Sequence, residues 1–140
     1  MSVRVVDACV AAKWFIDEDH AEEALNLLSE KYTLHAPDFL LLELDSVFCK
    51  WVRRGTIAFT EGNELRAAFK QYPIRLHSFI PLLDSAFIIA NQTSCSLYDS
   101  VYIALAVLLD GKLITADRRL YDSALTGGLK KTVAWVEEIG

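Results

Sequence analysis

The chain is 140 residues long, 53% apolar, 24% charged and 11% aromatic, which is enough to close one hydrophobic core and excludes disorder and low complexity. Fourteen basic against nineteen acidic residues leave a net charge of −5, which argues against a general nucleic-acid coat held by bulk electrostatics but not against an enzyme that meets phosphate through a bound cation. The longest apolar run, Val101 to Leu109, falls short of the roughly 20 residues of a membrane span, and Met1 to Asp7 carry no secretory pattern, so a soluble, cytoplasmic protein is expected.

Val3 to Val6 is β-branched and reads as a strand, followed by Asp7 and a helix-compatible stretch from Cys9 to Phe15. Asp19 to Lys31 sets Ala21, Ala24, Leu25 and Leu28 at spacings of three and four opposite Glu22, Glu23 and Glu30, a one-sided helix. Thr33 to Ala36 is a short strand. Pro37-Asp38 opens a long helix, with Asp38 as its N-cap, that runs to about Arg54, where Gly55 stops it. A further helix spans about Thr60 to Gln71 and ends before Pro73; Ile74 to Ile80 has strand character, and Pro81-Leu82 opens a helix to about Gln92. Ser96 to Asp99 has the form of a capping box at the head of an apolar helix that ends near Asp110 and is closed by Gly111. Lys112 to Thr115 is a strand, Arg118 to about Leu125 a short helix, and Thr132 to Val136 a last strand. Strands alternating with helices in a single domain spanning 1–140 predict an α/β protein with a central parallel sheet covered on both faces. Ligands of such a sheet collect outside the carboxyl ends of its strands, near the switch in strand order.

Four acids stand where the pattern wants something else. Asp7 ends the first strand, and Asp117 follows the strand that closes at Thr115; each has a second reading as the N-cap of the next helix. Asp99 is equally the acid of a capping box. Glu43 interrupts Phe39-Leu40-Leu41-Leu42-Glu43-Leu44 and has Phe39, Leu40, Ser46 and Val47 as its helical neighbours, so it faces inward, where an ion pair with an arginine is the alternative to a site role. Asp7 and Asp117 sit at carboxyl edges on the same side of a parallel sheet, and Glu43 and Asp99 near the starts of helices that face that edge. If they converge, the like charges need a cation, and oxygen-only ligands favour Mg²⁺ or Mn²⁺ over zinc. Such a metal suits phosphate chemistry. Competing signals are thin. His20, His35 and His77 are scattered and read as surface or satisfied core residues; GxSxG, GxGxxG and GxxxxGK[ST] are missing; and Cys9, Cys49 and Cys95 form no CxxC pair, which leaves buried free thiols rather than a disulfide or zinc site.

The segments Val5 to Phe15, Ala36-Pro37-Asp38 leading to Glu43, Ser96 to Ala106 and Leu113 to Leu120, in that order and spacing, resemble a PIN domain, and among PIN domains the VapC type of toxin from toxin and antitoxin pairs. The resemblance covers nearly the whole chain. It implies a three-layer α/β/α fold, a pocket for Mg²⁺ or Mn²⁺, and metal-dependent cleavage of RNA. By position, Asp7, Glu43, Asp99 and Asp117 match the family's acidic quartet, and Thr115 its polar residue before the last acid. Cys9 replaces the usual Ser or Thr, and Ser46 the usual Asn, whose supporting hydrogen bond a serine can still make. The resemblance also implies a homodimer and an antitoxin whose segment occupies a groove and blocks the metal site.

On this reading Asp7 and Asp99 bind the metal directly, and Glu43 and Asp117 directly or through water. Lys13, Arg118 and Arg119, with Arg53 and Arg54, are candidates for gripping RNA, unless they are ordinary solvated charges. Leu40, Leu44, Val47 and Trp51, with Trp14-Phe15, offer either core packing or a partner face. Two rivals stand beside the toxin: a nuclease-silent PIN scaffold that binds protein or RNA, and a PIN nuclease of RNA processing outside any toxin pair.

Overall fold

The alternation of β-branched runs with amphipathic segments folds as expected in a computed structural model, which describes residues 2–138. The strands are β1 (Ser2–Val6), β2 (Tyr32–Pro37), β3 (Ile74–His77), β4 (Lys112–Thr115) and β5 (Val133–Trp135). They form one sheet of order β3-β2-β1-β4-β5 with every neighbouring pair parallel. The helices are α1 (Ala8–Ala12), α2 (Ala21–Asn26), α3 (Leu40–Arg53), α4 (Phe59–Phe69), α5 (Leu83–Gln92), α6 (Leu97–Leu108) and α7 (Arg118–Thr126). The chain steps outward from β1 through β2 to β3, then crosses back over β1 to β4 and β5. Right-handed crossovers therefore put α1 to α4 on one face and α5 to α7 on the other, a three-layer α/β/α arrangement.

A sheet covered on both faces needs no polar alternation, and Val5, Val6, Leu113 and Ile114 are all buried. The apolar run from Val101 to Leu109 falls mostly in α6, whose residues Ser100 to Ala106 are buried without a break. It lies against β1, β2 and β4, with α5 packed beside it. Gly111 makes the turn from α6 into β4: a Cβ there would lie 2.6 Å from Val3 Cγ1 and 2.8 Å from the Val3 carbonyl oxygen, so any larger residue would push β4 away from β1. On the other face Trp14 stacks on Tyr72 at 5.3 Å between ring centroids, Phe15 meets Phe48 edge-on at 5.6 Å, and the Trp14 indole donates to the Ala24 carbonyl at 2.8 Å. Leu40, Leu44 and Trp14 are thus core residues, with Val47 and Trp51 packed at its margin.

Several boundaries differ from expectation. The first two helices are shorter than their patterns, ending at Ala12 and Asn26. Asp38 does not cap α3: its backbone N–H donates to the His77 carbonyl at 2.8 Å, tying the end of β2 to β3, and α3 starts after Phe39 with no side-chain cap. β3 stops at His77, and Pro81 sits in a 3-10 turn, Ile80–Leu82, that leads into α5. Of the three cysteines only Cys95 is buried; Cys9 and Cys49 are exposed.

Two of the scattered histidines meet across the sheet. His35 Nδ1 lies 2.9 Å from His77 Nε2, and His35 Nε2 lies 3.2 Å from Thr33 Oγ1. The ring-to-ring bond needs one protonated and one bare nitrogen, so both rings cannot be cationic while it persists. Burial first, then His77 and Arg75, lower the His35 pKa. As pH falls below the ordinary value of 6.5 the unfolded chain takes up this proton before the folded one does, and stability is lost. His35→Gln should therefore lose less of its unfolding midpoint than the wild type between pH 8 and pH 5.5; equal losses would contradict the pairing.

Candidate active site

The parallel sheet aims the starts of several helices at its carboxyl edge, and the four singled-out acids stand there. Asp7, between β1 and α1, is buried, and its Oδ1 accepts from the Val10 N–H at 2.9 Å. Asp117, between β4 and α7, accepts from the Arg119 and Leu120 N–H groups at 3.0 and 3.2 Å through Oδ1. Both therefore do cap helices, and capping occupies one oxygen of each. Ser96 caps α6 by accepting from the Asp99 N–H at 3.1 Å, which fixes Asp99 in the first turn. Glu43 also sits in the first turn of its helix, α3. Among the described residues no arginine pairs with it; its Oε1 accepts from the Tyr102 hydroxyl at 2.6 Å.

Thr115, fully buried at the end of β4, joins two of the acids. Its hydroxyl donates to Asp7 Oδ2 at 3.2 Å and accepts from the Asp117 N–H at 3.0 Å. The first hydrogen bond spans the β1–β4 pair, the strands that meet where the chain reverses its direction across the sheet.

The carboxyls feel burial and one another. Desolvation, augmented by Asp99 and Glu43, pushes Asp7 up to about 7 against the Val10 hydrogen bond. Burial and then Asp117 raise Asp99, with Ser96 and Arg119 opposing. Burial raises Glu43, with Asp99 adding to it and Tyr102 opposing. Burial, then the Glu43 charge, push the Tyr102 phenol far above its ordinary value, so it remains a donor. The cluster is thus starved of positive charge, a state a cation would relieve. The donors are all oxygens of anionic groups, which fits a hard divalent ion rather than zinc. Among the described residues no three His, Cys, Asp or Glu side chains stand close enough together to hold an ion by themselves.

A model of the PIN domain matches residues 4–124. The chain belongs to the PIN-domain family. Among its relatives, ribonuclease VapC3 of Pyrobaculum aerophilum is 31% identical over 118 residues, 83% of this chain and 90% of that protein. A toxin-antitoxin complex from Klebsiella pneumoniae superposes with a TM-score of 0.67 at 15% identity, covering 97% of this chain and 99% of that one. VapBC2 of Rickettsia felis, bound to a promoter DNA fragment, gives 0.64 at 12% identity over 95% and 98%. At such identities the structural likeness concerns the fold alone.

Within this PIN domain the proposed cations are not equivalent. Arg119 lines the cleft that holds Asp99 and Asp117, with Ser94, Ser96 and Ser123. Arg118 turns away, its guanidinium 4.1 Å from the Trp135 ring centroid. Lys13 is buried and paired with Glu18 at 3.1 Å. Arg53 and Arg54 lie at the far end of α3 from Glu43. Ser46 and Cys9 are exposed. Tyr102 carried no role in the sequence reading, although its place three residues after Asp99 puts both on one side of α6 and was the signal for it.

The buried Asp7 carboxyl gives a stability test. The folded protein holds this proton up to about pH 7 and the unfolded chain only to about 3.8. Stability is therefore present at low pH and lost as pH rises between those values, by up to about 4 kcal/mol. In EDTA, Asp7→Asn should unfold at a higher temperature than the wild type at pH 8 and at the same temperature near pH 4. A variant no more stable at pH 8 would contradict the assigned burial.

Proposed function

We propose that this PIN domain is an endoribonuclease, the toxin of a toxin and antitoxin pair, that hydrolyses RNA phosphodiesters with a divalent cation, Mg²⁺ or Mn²⁺, held by Asp7, Glu43, Asp99 and Asp117. The observation that carries this reading is the gathering of four carboxylates at one sheet edge, three of which, Asp7, Glu43 and Asp99, are raised in pKa by burial and by neighbouring acids, in a chain related to VapC ribonucleases. A scaffold that only bound protein or RNA would have no use for acids that repel one another in a dry site.

Such an ion supplies Lewis-acid activation of water and of the phosphoryl group. The chain's own part is to hold the carboxylates ready. Asp7 is fixed on both oxygens by Val10 and Thr115, Asp117 on one by the α7 amides, and Glu43 on one by Tyr102. The uncapped Asp117 oxygen and Oε2 of Glu43 remain available. Arg119, on the rim of the cleft, is the cation best placed to hold a backbone phosphate; Lys13 and Arg118, already engaged with Glu18 and Trp135, are secondary. Single-stranded or looped RNA suits a narrow mouth of this kind.

The antitoxin belongs to the same proposal, supported by the toxin-antitoxin complex from Klebsiella pneumoniae among the structures of similar fold. Its docking site is the apolar groove between α3 and α4, lined by Phe48, Cys49, Val52 and Phe59 with Asp45 and Arg66 at the side. Phe59 is 69% exposed there. The row Leu40, Leu44 and Trp14, core in this fold, is not that surface. A homodimer is also part of the reading: Ile80, Phe87 and Ile88 stand exposed around the start of α5 and along it, an apolar face that a second copy would cover. No helix among the described residues is long and apolar enough to cross a membrane.

The test is RNA cleavage by purified protein with Mn²⁺, with Mg²⁺ and with EDTA, beside Asp99→Asn. Cleavage should require the metal and fall by more than about 100-fold in the variant, beyond the cost of losing an outer-shell partner. Folded protein that binds no metal would sink the reading in favour of the scaffold.

A further inference from the structure

We propose that Tyr102 is a positioning residue of the metal site, holding Glu43 so that the carboxylate offers one defined oxygen, Oε2, towards the other acids. This rests on the metal-dependent reading above and adds to it a residue outside the acidic quartet.

Tyr102 lies on α6, one turn beyond Asp99, and is 1% exposed. A buried tyrosine needs a partner for its hydroxyl, and an ordinary core would use a backbone carbonyl or a phenylalanine instead. Here the partner is a carboxylate on a different helix, at 2.6 Å, within the range of a charge-assisted O–H to carboxylate bond. The same two helices are clamped a second time. The Phe39 ring, one turn before Glu43, meets the Tyr102 ring edge-on at 5.4 Å and 83°, and the Phe39 carbonyl accepts from the Glu43 N–H at 3.1 Å. Ring and hydroxyl together fix the first turn of α3 against the first turns of α6, so the side chains of Glu43 and Asp99 are located relative to each other by one residue. α3 has no side-chain cap, and Ser46 on the same helix is exposed, so the Tyr102 contact is the support that Glu43 does have. A free glutamate has three side-chain torsions to order on binding an ion; one held at Oε1 has that order in place.

The test compares wild type, Tyr102→Phe, Glu43→Gln and the double variant for Mn²⁺ affinity by calorimetry, for kcat and KM of RNA cleavage, and for unfolding midpoint in EDTA. Tyr102→Phe keeps the ring packing on Phe39 and removes only the hydroxyl. It should weaken Mn²⁺ binding about tenfold or more and lower kcat rather than raise KM for RNA. In the double variant the loss should equal that of Glu43→Gln alone, because Tyr102 acts through Glu43. Unchanged Mn²⁺ affinity in Tyr102→Phe would overturn the proposal, as would losses that multiply in the double variant, the pattern of an independent structural defect. A wild type that neither takes up Mn²⁺ nor cleaves RNA would overturn the underlying reading instead, and is told apart by failing before any variant is compared.

Discussion

Parallel strands joined by helices send several helix starts to the same edge of the sheet, and in this chain that edge receives Asp7, Glu43, Asp99 and Asp117 from the starts of α1, α3, α6 and α7. The positive ends of these helices partly offset the acids' mutual repulsion, but they do not cancel it, since Asp7, Glu43 and Asp99 all have raised pKa values. The rest of the molecule serves to keep these groups together. The buried middle of α6, Ser100 to Ala106, anchors Tyr102 in the core and holds Asp99 at its margin, the β1–β4 pair carries Asp7 and Thr115, and the Gly111 turn lets those strands lie side by side.

Holding carboxylates in this way costs stability, and the structure limits the cost by giving fixed partners to individual oxygens. Backbone amides serve Asp7 and Asp117, the Thr115 hydroxyl serves the second Asp7 oxygen while accepting from the Asp117 N–H, and the Tyr102 phenol serves Glu43. Hydrogen bonds to the charged form favour ionisation, against the desolvation that disfavours it. The result is a set of carboxylates partly ordered in advance, the preorganisation that the proposed cation site would need. Capping takes only one oxygen of each aspartate: Asp117 caps through Oδ1 alone, and Asp7 caps through Oδ1 and holds Oδ2 on the Thr115 hydroxyl.

The architecture was legible because period and punctuation agreed along most of the chain. Val3 to Val6 and Lys112 to Thr115 read as strands, and Ser96 to Asp99 as the start of a helix. The acids were legible as anomalies, charges where the pattern asked for caps or core. What the sequence hid depends on pairing between distant segments. Nothing local says that His35 faces His77, because β2 and β3 are separated by two helices before they become neighbours. Nothing local makes Tyr102 more than a core residue, since its partner Glu43 lies 59 residues away. Asp38 reads as a cap, but its backbone N–H still pairs with the His77 carbonyl at the end of β3, and the helix starts one residue later, after Phe39. Lys13 and Arg118 read as free cations because Glu18 and Trp135, which engage them, can be identified only once the chain has folded.

The central claim is that these four acids, spread over the length of the chain, form one cation site. Crystals grown with Mn²⁺ test it most directly through an anomalous difference map. The account predicts a peak at the carboxyl edge of β1 and β4 within reach of Asp7 and Asp99, and its loss from crystals of Asp99→Asn. A folded protein whose anomalous peaks fall elsewhere, such as at the His35 and His77 pair, or which shows none at saturating Mn²⁺, would contradict it.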